Sequence, residues 1–345
     1  MTALAERYAT LVKEAGKPIR ARDAAMRLGT TEAALVASGA TGHATPLRPD
    51  WSALFAAMPE AGRIMALTRN EHAVHERKGR FEDVSSGPGH ILVLGPEIDL
   101  RLFPGHWAHA YALGGERPSI QIFDKDGVAA HKIFATAETD RDGWARILAA
   151  FAAEAAPPPP EAAPEAATVT EEAAVDGAAL RADWLALRDT HDFFPMLRRH
   201  RATRRQAFHL AGQDLAMRLA PGAGSGVLRL AAETEVPVMI FVGNRSAIQI
   251  HTGQVKRLVD IPGWFNVLDP EFNLHLREAG VAAAWRVVKP TADGAVTSIE
   301  LLDAGGEVVA LIFGARKPGQ PEREDWRRIA AAAAERHPEP QEAAA

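Results

Sequence analysis

The segment LRDTHDFFPMLRRH, residues 187–200, sets a single histidine, His191, between two aspartates and directly ahead of Phe-Phe-Pro. Imidazole is the side chain best suited to proton transfer near neutrality and to metal ligation. Asp189 or Asp192 can cap the start of a helix, and Pro195 suits its first turn. If a helix already runs through His191, Pro195 leaves the His191 carbonyl without its i+4 donor. On either reading the imidazole lies close to a helix N-terminus, and in its neutral form it can donate a lone pair to a metal. Phe193, Phe194, Met196 and Leu197 would supply an apolar surface for a flat ligand. These residues alone leave capping, packing and ligation all open.

The other histidines are less telling. His72 and His75 in NEHAVHE are placed by an internal repeat in a strand, where residues three apart point to opposite faces and do not chelate one ion. His75 alone could face a ligand, because its repeat partner, Gln249, is also polar. His106 and His109 flank Trp107 in a turn or strand edge, with Gly280 and Ala283 as their counterparts. His131, His209, His251 and His275 lack a second ligand at metal-like spacing. With no cysteine in the chain, thiolate catalysis, disulfides, Cys-zinc sites and iron–sulfur clusters are all excluded.

The elements that must position these groups come in two sets. A chain of 345 residues suits two domains of about 150 residues each. Its 47% hydrophobic and 24% charged content is ordinary for a globular protein, and a net charge of −5 gives no basic stripe for nucleic acid. RNEHAVHERKG (69–79) aligns with GNRSAIQIHTG (243–253), and PEIDLRLFPGHWAHAYAL (96–113) with PEFNLHLREAGVAAAWRV (270–287), both at an offset of 174. After a five-residue insertion, PSIQIFDKDGVAAHKIF (118–134) aligns with TSIELLDAGGEVVALIF (297–313). Similarities in this order indicate a tandem duplication. Short β-branched runs between Gly and Asp turns predict strands and hairpins, and the Trp segments predict closing helices. The expected fold is α+β, each half a largely antiparallel sheet flanked by helices.

The expected boundaries are 1–151 for the first half, 152–179 for a Pro/Ala/Glu-rich linker, 180–335 for the second half and 336–345 for a disordered tail. GAGSG (222–226) is expected in a loop and lacks a P-loop lysine. The first residues show no signal peptide and no run has the length of a membrane helix, so the expected compartment is the cytoplasm and no stable membrane insertion is expected.

The motifs RNEHAVHE, IDLRLF, RDTHDFF, IFVGNR, GWFNVLDPEFNLHL and IFGARKPGQ together resemble the HemS/HmuS-type family of haem-trafficking and haem-degrading factors. The likeness runs over nearly the whole chain except the linker and tail, in the same order, duplication included. It implies His191 as axial ligand of haem iron, Arg101 at the opposite face and Phe103 in the distal lining. It further implies Phe241 against the ring, and Lys289 and Arg316 at the propionates. Phe313 stands where a tyrosine is expected, which removes one hydroxyl. A second haem site through His75 is implied with less weight.

This set is chemically coherent: haem needs one nitrogen ligand, apolar walls and a few cations at its rim. Arg101, as a guanidinium, cannot ligate but could hold a water or hydroxide at the sixth position. Because Arg101 matches His275 in the repeat, the halves have diverged, and the expectation is one main site drawing on both. The expected function is haem trafficking, or haem degradation with iron release driven by an external reductant, with Arg101 as the distal catalytic group if turnover occurs. An inner-membrane haem importer and a downstream haem acceptor or reductase are the implied partners. A haem-responsive scaffold or regulator without turnover is the alternative, and the net acidity makes DNA its weakest target.

Overall fold

Runs such as VPVMIFVG and TSIELL, rich in β-branched residues and bounded by turn formers, become strands because their side chains pack on a pleated surface. The computed structural model describes residues 2–162, 174–317 and 319–339. Its strands form two antiparallel sheets of nine strands each, and the chain divides into two units.

Unit 1 comprises residues 1–69, 75–166 and 243–249. It opens with helices α1 (Ala3–Ala15), α2 (Ala21–Leu28) and α3 (Glu32–Ala37), strand β1 (Ala44–Pro46) and helix α4 (Trp51–Ala57). Strands β2 (Gly62–Arg69), β3 (Ala73–Arg80), β4 (Val84–Gly87), β5 (His90–Leu94) and β6 (Asp99–Leu102) follow. After β7 (Trp107–Leu113), β8 (Ser119–Asp124) and β9 (Ala129–Thr139), helix α5 (Arg141–Phe151) closes the half. Five strands lie in the order β1-β7-β8-β9-β2, and β4, β5 and β6 form a meander. Leu54 and Phe55 of α4 and Trp144 and Ile147 of α5 pack on Ile64, Ile120, Ile122 and Ile133. Each such side chain, fully buried, contributes on the order of 2 kcal/mol.

Unit 2 comprises residues 70–74, 167–242 and 250–345. Helices α6 (Gly177–Leu185), α7 (Phe193–His200) and α8 (Arg204–Ala211) precede β10 (Ala216–Leu219) and α9 (Ala223–Glu233). Next come β11 (Val238–Asn244), β12 (Ala247–Gly253), β13 (Leu258–Ile261), β14 (Trp264–Leu268) and β15 (Phe272–Leu276). Strands β16 (Ala283–Lys289), β17 (Val296–Leu302) and β18 (Val308–Gly314) lead to α10 (Glu324–Arg336). The order β10-β16-β17-β18-β11 and the meander β13-β14-β15 repeat the plan of unit 1. Helices α9 and α10 cover one face of the five strands through Val227, Leu228, Trp326 and Ile329. On the other face α6, α7 and α8 pack Leu180, Trp184, Phe193 and Phe208 against Trp285 and Val287.

The two-unit division does not follow the linker. Residues 70–74 belong to unit 2 and 243–249 to unit 1. Asn70 and Asn244, matched in the repeat, organise these two turns. The Asn70 Oδ1 accepts from the backbone N–H groups of His72 and Ala73, and its amide donates to the Val309 carbonyl at 2.8 Å. The Asn244 Oδ1 accepts from Ser246 and Ala247, and its amide donates to the Ala130 carbonyl at 3.0 Å.

Four expectations change in detail. The linker ends before residue 177, because Asp176 caps α6 by accepting from the N–H groups of Ala178 and Ala179. Its start is anchored, with the hydroxyls of Thr31 and Thr30 donating to the carbonyls of Pro160 (2.6 Å) and Glu161 (2.8 Å), while residues 163–173 lie outside those described. In the tail, Arg336 ends α10 and Glu339 pairs with Arg218 at 2.7 Å; residues 340–345 lie outside those described. GAGSG forms the first turn of α9 rather than a loop, because its glycines let neighbours approach closely: a Cβ on Gly224 would meet Leu301 at 2.6 Å. Finally, His72 sits in the turn before β3, so only His75 of that pair lies in the strand.

Candidate functional site

Asp189 caps a 3-10 turn, Thr190–Asp192, that leads directly into α7. Its carboxylate accepts the backbone N–H of His191 at 2.8 Å and faces the Nδ1 of the same residue at 2.6 Å. The backbone N–H of His191, and then its ring, hold the Asp189 carboxyl below the usual range, with a smaller contribution from Arg316. A carboxylate can only accept, so Nδ1–H points to Asp189 and the ring is oriented; in the neutral imidazole the lone pair is then on Nε2. The imidazole is 92% exposed, so that lone pair faces open space. Sequence reasoning located this histidine near a helix N-terminus, and Asp189 is the residue that caps it.

The apolar surface beside His191 is narrower than the sequence suggests. Phe193, Met196 and Leu197 are buried in the core beneath α7, and Phe194 alone of the four is exposed. Helical spacing turns Phe193 inward, where it meets Trp184 edge-on at 4.6 Å. A second apolar surface lies on the sheet. Met239 and Phe241 of β11 and Leu311 and Phe313 of β18 are half-buried on the face opposite α9 and α10. Phe241 pairs with Leu311 and Met239 with Phe313, and the two Phe rings meet at 5.3 Å.

The two expected rim cations of unit 2 differ in setting. Arg316, with an 18% exposed side chain, lies 3.5 Å from Asp293. Lys289 is buried and forms an ion pair with Glu300, which also pairs with Arg204 and accepts from the Ser298 hydroxyl at 2.8 Å. Burial alone would push the Glu300 carboxyl up, but Lys289 and then Arg204 hold it at about 2. Burial lowers the Lys289 ammonium against the pull of Glu300. Sequence reasoning missed Glu300 and Arg204. The signal was available: Glu300 is the one charged residue in the apolar run TSIELL.

Arg101 and Phe103 belong to unit 1. The Arg101 guanidinium pairs with Asp99, two residues back on β6, and donates to the Leu100 carbonyl at 3.2 Å. Burial raises the Asp99 carboxyl despite Arg101 beside it. One third of the Arg101 side chain is exposed, which leaves donors for a ligand. Phe103, half-buried, follows β6, and its N–H donates to the Ser246 carbonyl at 3.0 Å. His75 is completely buried, as is its counterpart Gln249, whose amide donates to the Ala66 carbonyl at 3.0 Å. Among the described residues no three His, Asp or Glu side chains converge as a metal site.

Residues 29–151 and 201–333 match the haemin-degrading HemS.ChuX domain. The hemin transport protein HemS of Yersinia enterocolitica is 42% identical over 313 residues, 89% of this chain and 90% of that protein. The chain belongs to this family. The hemin transport protein HmuS of Yersinia pestis is 40% identical over the same share of each chain. Apo-PhuS, a heme-binding protein of Pseudomonas aeruginosa, superposes with a TM-score of 0.90 at 47% identity, covering 95% of this chain and 98% of its own. ChuS, the heme-degrading enzyme of Escherichia coli O157:H7, gives 0.88 at 36% identity, covering 95% and 98%. The domain match falls once on each half of the duplication and leaves out residues 152–200, the stretch that carries His191. No helix among the described residues is long and apolar enough to cross a membrane.

Proposed function

We propose that this protein binds haem through His191, for haem trafficking and for haem degradation with release of iron. The observation that carries this reading is the His191–Asp189 pair: an exposed Nε2 with its ring oriented from behind, at the start of a short helix. Haem suits the residues present. Its iron takes one imidazole, and its apolar disc suits a surface such as Phe241 with Phe313. Its carboxylates suit Arg316, with Lys289 nearby in the same unit. When bound, haem supplies the redox-active iron and the tetrapyrrole that is opened.

In this proposal Asp189 keeps the proton on Nδ1 of His191, and Arg316 meets carboxylate charge at the rim. Arg101 and Phe103 enter as distal residues through the family resemblance, Arg101 donating hydrogen bonds at the sixth position while Asp99 steadies it. His75 as a second ligand would require its buried ring to become accessible. The reading places the protein in the cytoplasm, between an importer that delivers haem and an acceptor or reductase that follows.

The test is an aerobic incubation of the haem-loaded protein with an external reductant. Stoichiometric haem binding together with carbon monoxide and an open-chain tetrapyrrole supports both roles. Binding without those products restricts the protein to carriage, and absence of saturable binding refutes the proposal.

A further inference from the structure

Glu300 lies at the centre of a buried charge cluster that reaches the main chain beside His191. Its carboxylate pairs with Lys289 and with Arg204, and Ser298 donates to it at 2.8 Å. The two cations converge on one ring: the Lys289 Nζ lies 4.6 Å from the Phe193 centroid, and the Arg204 guanidinium carbon 5.3 Å from it. Cations at such distances are attracted by the negative face of an aromatic ring, most strongly where water is excluded. Phe193 is in turn the first residue of α7, and its N–H donates to the Thr190 carbonyl, closing the turn that carries His191.

We propose that Glu300 is a positioning residue for His191, acting through Lys289, Arg204 and the Phe193 ring. The proposal rests on the reading of His191 as the haem ligand. Without the carboxylate, two cations would face each other in a buried space and move apart toward water. Their hold on Phe193 would go with them, and the turn bearing the imidazole would lose one of its anchors, leaving Trp184 and Asp189. The duplication offers an internal control. The residue matched with Glu300 in unit 1 is Gln121, whose amide donates to the Ser119 hydroxyl at 3.1 Å. The same strand position is neutral in unit 1 and charged in unit 2, the unit that carries His191.

A double-mutant cycle on the full-length protein tests this, with haemin affinity and the Soret spectrum as readouts. Glu300→Gln is expected to weaken haemin binding about tenfold and to move the Soret band toward that of His191→Ala. In the His191→Ala background the same substitution should change affinity less than about twofold, because the residue it positions is gone. Phe193→Leu, which keeps apolar bulk and removes the ring face, is the parallel variant if Glu300→Gln does not fold. It should show the same loss of effect in the His191→Ala background. Equal effects in both backgrounds would overturn the proposal and assign Glu300 to general stability or to the carboxylates of haem. No effect of either variant while His191→Ala weakens binding would overturn it as well. If His191→Ala itself changes nothing, the ligand assignment fails and the positioning role fails with it.

Discussion

The two units repeat one strand order and differ in where they bury charge. In unit 1 the buried ion pair is Lys132 of β9 with Glu32 of α3, and the Lys132 ammonium lies 5.9 Å from the Phe123 centroid. In unit 2 one carboxylate, Glu300 of β17, holds two cations; both rest on Phe193 of α7, and Lys289 also lies 5.7 Å from the Phe313 centroid on β18. The meanders differ as well: Asp99 and Arg101 form an ion pair, whereas the matched residues are Asn273 and His275, with His275 Nδ1 2.7 Å from the Asn266 Oδ1. A duplicated sheet thus keeps its register while its polar positions diverge. The lesson is that the strand plan is set by apolar alternation, while the charged positions on that plan are free to differ between the halves.

The widest gap between the units should appear when each buried carboxylate is neutralised. Glu300→Gln leaves two cations without a partner and is expected to cost about 3–5 kcal/mol in denaturant unfolding. Glu32→Gln leaves one partly accessible lysine and should cost about 1–2 kcal/mol. Equal losses would remove the asymmetry.

Acid should separate the units next. His131 of unit 1 is fully buried, and burial holds its imidazole down at about 3 against an ordinary value of 6.5. Between those values the unfolded chain takes up a proton that the folded chain refuses. Stability therefore falls as pH drops from 6.5 toward 3, by at most about 1.4 kcal/mol per pH unit. Glu300 has the opposite charge type and a lower window: its contribution is complete above its ordinary 4.5 and is lost as pH falls through about 2. Unit 1 should loosen first, as read by tryptophan fluorescence or hydrogen exchange at pH 7 and pH 5. The account of His131 fails if His131→Gln leaves that slope unchanged.

A smaller effect is expected at Asp189. Asp189→Asn keeps a side-chain acceptor for the turn but weakens the hold on Nδ1, and should lower haemin affinity about tenfold. The smallest concerns Phe313, whose ring meets Phe241 at 5.3 Å. Phe313→Tyr adds a hydroxyl without changing the ring contact, and should shift haemin affinity by less than about threefold. A larger gain would mean that the hydroxyl meets haem directly.

Much of this architecture was legible from spacing. The β-branched runs, the Asp-Gly and Gly-Gly hairpins and the closing Trp helices all lie where the pattern put them, because period-two alternation and turn chemistry are local properties. His191 beside a helix start was legible for the same reason. What was not legible depends on tertiary partners. Phe193 and Phe194 are adjacent and identical, and only the packing of α7 on Trp184 shows that one is core and the other surface. Residues 70–74 and 243–249 look like ordinary hairpin turns, yet each belongs to the unit built mainly from the other half of the chain. Lys289, which the resemblance puts at the propionates, is buried because its partner Glu300 lies 11 residues away on the neighbouring strand. The glycines of GAGSG suggested a loop, whereas the close packing of Leu301 against Gly224 explains them within a helix.

The central claim is that His191 supplies the axial nitrogen to haem iron. The most direct measurement is a haemin titration of the wild-type protein and of His191→Ala, followed at the Soret band. The account predicts a saturable, near-stoichiometric shift in the wild type and, in the variant, a displaced band with affinity weakened about a hundredfold. Identical spectra and affinities in the two proteins would contradict it.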